Sequence, residues 1–158
     1  MYRKAICTLA LLVTSTAISA QALTASQIVE REVIVHNADG TQTVKREAAD
    51  KVTPGDKVIY SLNYFNDEEA PAENIVLVMP IPTEVTYLDG SADTSGTTTT
   101  FSVDDGKTFA GRDDLRVVQA NGNERSARSE DITHIRWVIN TPVAPETGGT
   151  LSFSGRLQ

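Results

Sequence analysis

Apolar and polar residues alternate with a period of two over much of the chain, and turn residues punctuate the alternation. The clearest case is residues 57–65 (KVIYSLNYF), which put Val58, Tyr60, Leu62 and Tyr64 on one face and Ile59, Ser61, Asn63 and Phe65 on the other. Residues 132–140 (ITHIRWVIN) repeat the pattern with Ile135, Trp137 and Ile139 on one face. A β-branched run at 28–35 is followed by Asn37-Ala38-Asp39-Gly40, a hairpin signal, and residues 41–46 return as a polar edge strand. Residues 74–79 (NIVLVM) are almost continuously apolar, which predicts a strand covered on both faces and stopped by Pro80 and Pro82. Further strands are expected at 84–88, 97–103, 107–109 and 150–157. Residues 66–72 and 91–96 read as loops, the second flexible, and residues 110–131 as a long loop carrying one short strand at 115–118. About eight or nine short strands with turns between them predict an all-β sandwich, with a small barrel as the alternative. Trp137 and the Val58/Tyr60/Leu62 face suit the inner faces of two opposed sheets.

The first 22 residues break this pattern. Arg3 and Lys4 precede a nine-residue apolar run at 5–13, and a small, polar tail ends in Ala20-Gln21-Ala22. This is the three-part plan of a cleavable signal peptide, and the run is about half the length a spanning helix needs. The expected domains are therefore a signal peptide at 1–22 and one β-sandwich at 23–158, exported to the periplasm or the medium. Cleavage leaves 136 of 158 residues and removes two of 14 basic residues and none of 21 acidic ones, for a net charge of −9. It also removes Cys7, the one cysteine, so the exported chain has neither a disulfide nor a thiol nucleophile. No later segment is long and apolar enough for a membrane span.

Charge and composition narrow the function. The acidic balance argues against nucleic acid, and 6% aromatic residues argue against an extended stacking surface. One cysteine and two histidines are too few for a zinc site. No G-x-S-x-G elbow is present, His36 and His134 read as surface residues, and Glu68 and Glu69 are adjacent and point apart. Arg136 is expected to pair with an acid on a neighbouring strand. Residues 102–109 (SVDDGKTF) match the S-x-D-x-G-x-T-[WF] pattern of an Asp-box turn, in which the aspartate accepts backbone N–H bonds, glycine takes a positive φ and the aromatic packs under the hairpin. Asp104, Asp105, Asp113 and Asp114 offer oxygen ligands to calcium, but without EF-hand spacing. No catalytic, cofactor-binding or metal residue is assigned and no cofactor is expected; a calcium- or carbohydrate-binding domain stands as a lesser alternative.

Residues 52–91 carry a family resemblance. Pro54-Gly55-Asp56 precedes Tyr60-x-Leu62-x-Tyr64, then come an asparagine-containing turn, Ala72-x-Asn74 before an apolar run, Pro82-x-x-Val85-x-Tyr87, and Gly90-Ser91-Ala92. This resembles the conserved-repeat domain known as domain of unknown function eleven, found in bacterial and archaeal surface and secreted proteins. The segment from Ile135-Arg136-Trp137 through Pro145 to Ser152-Phe153 is similar to its closing half. Met79-Pro80 stands where the family usually has Asp-Pro, the chain holds one copy where the family typically has tandem arrays, and residues 97–131 have no counterpart. The resemblance implies an immunoglobulin-like sandwich with a structural or adhesive role and no assigned catalysis. The expected partner is an envelope or surface protein. Residues 23–35 leave two readings open: a first strand in its own sheet, or a strand donated to a neighbouring subunit of a surface filament.

Overall fold

The computed structural model describes residues 23–158, and the expected signal peptide at 1–22 lies outside the described residues. Ten strands follow one another: β1 (Leu23–His36), β2 (Gln42–Ala48), β3 (Lys57–Asn66), β4 (Val76–Pro80), β5 (Val85–Tyr87), β6 (Thr97–Ser102), β7 (Arg116–Val118), β8 (Glu124–Ser126), β9 (His134–Ile139) and β10 (Thr147–Leu157). All pairings are antiparallel. A five-stranded sheet has the order β2-β1-β3-β10-β5, a three-stranded sheet the order β4-β9-β6, and β7 and β8 form a separate hairpin. The chain is all-β, with its two larger sheets packed in a sandwich-like arrangement.

The core lies between β3, β10 and β5 on one side and β4, β9 and β6 on the other. Val58, Leu151, Phe153, Val85 and Tyr87 meet Met79, Ile135, Trp137 and Phe101. Tyr60, Leu62 and Tyr64 join from the expected face of β3, and Ile135, Trp137 and Ile139 are buried as the alternation in β9 predicts. Tyr60 stacks on Phe153 with ring centroids 4.9 Å apart, and Tyr87 meets Phe101 across the layers at 5.3 Å. Trp137 has its one polar atom satisfied, because Nε1–H donates to the Ala92 carbonyl at 2.8 Å. Removing water from so many large side chains, at about 25 cal/mol per Å² of apolar surface, is the main stabilising term.

Four expectations are corrected. Strand β4 is not covered on both faces: it is the edge of its sheet, and Val76 and Val78 are 51% and 45% exposed while Leu77 and Met79 turn inward. An unbroken apolar run says nothing about how many layers pack against it. Residues 91–96 are not a flexible loop, because Ala92 is fully buried and its N–H and C=O are bonded to the Tyr87 hydroxyl and to Trp137. Residues 110–131 hold two strands, not one, because the partner of β7 is the polar segment β8, which carries no hydrophobic signal. This excursion is pinned by Leu115 and Ala127 in the core and by paired Arg112–Asp89 and Arg125–Asp131 contacts. The segment expected as a strand at 107–109 closes instead through a single bridge between Phe101 and Ala110. No helix among the described residues is long and apolar enough to cross a membrane.

Candidate interaction surface

Strand β1 does two jobs. Its first part, Leu23 to Arg31, pairs with β3 from Asn66 back to Val58. Its last part, Glu32 to His36, has run past the end of that ladder and pairs only with β2. Five residues at about 3.3 Å each make an overhang of about 17 Å. The turn that closes it is the predicted one: Gly40 takes φ 82°, Asn37 N–H donates to the Thr41 carbonyl at 2.9 Å, and Asp39 accepts from the backbone and hydroxyl of Thr41. Those bonds, the hydroxyl's first, hold the Asp39 carboxyl below the usual range.

No residue of β1 or β2 is buried. Leu23 packs half-buried against a small cluster of Ala72, Ile139 and Val143, and the rest of the unit is held by backbone ladders and by two surface ion pairs, Arg31–Glu47 and Lys57–Glu32. Such exposed pairs contribute about 0–1 kcal/mol each. Ile34 and Val44 stand directly opposite one another on the arm, and each is 61% exposed. Ile28, on the same face of β1, is also exposed. Among the described residues no strand lies beside the outer edge of β2, and Lys45 and Arg46 keep that edge positively charged.

The residues singled out for chemistry lie elsewhere and apart. His36 ends β1, with Nε2 3.1 Å from Gln42, and His134 starts β9 beside Thr133, so the two imidazoles sit on different sheets. Glu68 and Glu69 are exposed in the loop after β3. That loop is organised by Asn66, whose amide is fully buried, donates to the Ala70 and Val143 carbonyls at 2.9 Å, and accepts from Glu68 N–H. Nothing in the local pattern distinguishes this asparagine from a turn residue. Only the approach of Val143, 77 positions later, gives it a buried role.

The Asp-box expectation describes the turn well. Asp104 accepts from the Ser102 hydroxyl at 2.7 Å and from the backbone and hydroxyl of Thr108, and these bonds hold its carboxyl well below the usual range. Gly106 takes φ 78° beneath His134, and its N–H donates to Ser102 Oγ. Arg136 departs from expectation: its guanidinium lies 4.4 Å from the centroid of the Phe109 ring, and Nε donates to Thr100 Oγ1, instead of pairing with an acid. The neighbouring strand positions hold Thr100 and Val78, so no carboxylate is within its row. Asp104 is committed to its turn, Asp105 to a left-handed φ of 59°, and Asp113 and Asp114 to an exposed 3-10 turn. Among the described residues no three His, Cys, Asp or Glu side chains come together as a metal ion requires.

Comparison with family models, with characterised proteins and with solved structures finds no match. The functional reading rests on this chain's own residues and geometry.

Proposed function

We propose that this chain is a non-catalytic, exported immunoglobulin-like module of the cell envelope or surface, and that its role is protein–protein contact. The observation that carries the reading is the overhanging β1–β2 arm, which presents Ile34 and Val44 and a free strand edge beyond the body of the sandwich. Exposed apolar pairs and open edges are costly to keep unless they are used. A partner strand added at β2 would gain backbone hydrogen bonds, and Lys45 and Arg46 favour an acidic partner over a basic one. Export rests on the Arg3–Ala22 pattern. The test is photo-crosslinking in the cell envelope with the reactive side chain at position 44, compared with position 118, where Val118 is equally exposed on the separate β7–β8 hairpin. A discrete adduct from position 44 and not from 118 is expected. Equal adducts from both, or none from either, would reject the arm as the contact.

A second reading, a self-assembling filament subunit that donates its N-terminal strand, is favoured by one observation. None of β1 is buried, so exchange would give up its ladders with β3 and β2 and the half-buried contact of Leu23, and the β3 ladder is regained on a neighbour. Light scattering on residues 23–158, beside a chain lacking 23–35, separates the two readings. Concentration-dependent polymers that vanish with the deletion support donation. Monomers in both samples count against it.

A further inference from the structure

The outer face of the five-stranded sheet, away from the arm, carries a shallow trough of about 330 Å³ at the Leu23 end of β1. Two rows of the ladder build it. Thr24, Phe65 and Gly148 lie side by side in one, and Ser26, Asn63 and Thr150 in the next. Phe65 is 41% exposed, an unusual position for an aromatic ring that has apolar core available one residue away. Beside it β10 keeps a bare backbone. A Cβ on Gly148 would stand 2.0 Å from the Tyr64 carbonyl oxygen and 2.9 Å from Phe65 Cα, so this position has to be glycine and no side chain rises there to cover the neighbouring row.

The polar groups around the ring are set in complementary states. Thr150 Oγ1 donates to Asn63 Oδ1 at 2.7 Å, which fixes the amide and leaves the Asn63 Nδ2 hydrogens without an acceptor among the described residues. Thr24 Oγ1 gives its proton to Asp67 Oδ2 at 3.0 Å and keeps its oxygen as an acceptor. The Ser26 hydroxyl can do either. Among the described residues no charged side chain lines the trough, and the Asp67 carboxylate stands behind the Thr24 hydroxyl at its rim.

We propose that this trough binds a neutral saccharide. A pyranose ring has an apolar C–H face that packs on an aromatic side chain, and an equatorial rim of hydroxyls that both donate and accept. One ring, one free amide donor, two acceptor oxygens and one hydroxyl match that chemistry, and the volume suits one or two sugar residues. An anionic ligand would find no cation in the lining.

Calorimetric titration of the exported chain with cellohexaose, maltohexaose, laminarihexaose and chitohexaose, beside anionic hexagalacturonate, tests this. Saturable heat with at least one neutral hexaose and none with hexagalacturonate is expected. Phe65→Ala and Asn63→Ala should each weaken binding by about tenfold or more, the loss of one stacking or charge-free hydrogen-bonding contact at a small site. Amide shifts at Asn63 and Thr150 in the unsubstituted chain locate the sugar without any variant. Val44→Lys, on the arm, should leave the titration unchanged, so failure here and failure of the arm contact remain separable. No heat with any neutral hexaose, equal heat with hexagalacturonate, or binding that survives Phe65→Ala with no shift at Asn63 would overturn the proposal.

Discussion

The β1–β2 arm and strand β9 are both regular antiparallel structure, yet they are held by different forces. Strand β9 buries three of its six residues between the sheets, with Trp137 and Ile135 wholly inside. Strands β1 and β2, which form the arm and its root, have 14 and seven residues and bury none. Hydrogen-bonded ladders satisfy the backbone in both, but the net contribution of each such bond is only about 0.5–1.5 kcal/mol because water offers the same bonds to the unfolded chain. The apolar transfer that drives β9 inward is missing in the arm.

Substitutions at the two ends of this contrast should differ widely. Trp137→Ala is expected to cost about 3–5 kcal/mol in chemical denaturation, through the cavity and the loss of the 2.8 Å bond to the Ala92 carbonyl, which keeps only the longer one from Thr99 Oγ1 at 3.4 Å. A loss below about 1 kcal/mol would mean that the sheets do not close on Trp137. Asn66→Ala should cost about 1–3 kcal/mol, because a fully buried amide is removed, the Val143 carbonyl is left with the Ala72 N–H alone, and the Ala70 carbonyl and Glu68 N–H lose their side-chain partner. Asn66→Asp should recover only the acceptor bond from Glu68 N–H, since a carboxylate cannot donate to either carbonyl.

The Asp-box lies between the extremes. Its carboxyl titrates below its ordinary 3.8 in the folded chain. A depressed folded value means stability that is present above the unfolded value and is lost as pH falls below it toward the folded one. Asp104→Asn should therefore lower stability at neutral pH and flatten the acid limb of the stability curve below about pH 4, read from thermal melts at several pH values. An acid limb unchanged by the substitution would show that the turn does not depend on the charge. The smallest effect is expected on the arm: Val44→Thr should change the unfolding free energy by no more than about 0.5 kcal/mol, as for other exposed sites. A large loss there would erase the contrast and place the arm within the core.

Strands with strict alternation could be read directly from residue order. Val58, Tyr60, Leu62 and Tyr64 face the core, as do Ile135, Trp137 and Ile139, because a pleated strand sends alternate side chains to opposite faces whatever surrounds it. The hairpin at Asp39-Gly40 and the turn at Asp104–Gly106 were equally local, since each depends on a glycine with positive φ and an aspartate bonding to its own neighbours. The polar edge strand after the hairpin followed from its composition.

Other features needed the third dimension. Whether Val76 and Val78 meet a second layer depends on which sheet β4 joins and at which edge, and no residue within β4 encodes that. Strand β8 exists because β7 runs beside it, Ala92 is buried because Tyr87 and Trp137 close over it, and Asn66 is a hub because Val143 arrives from far along the chain. The trough beside Phe65 likewise needs β1, β3 and β10 in register. Local preference is a property of a few consecutive residues, whereas burial and edge position are properties of the assembled layers. That is why the alternation of this chain announced its strands, and only their packing decided which of them would be core and which would be left free at the surface.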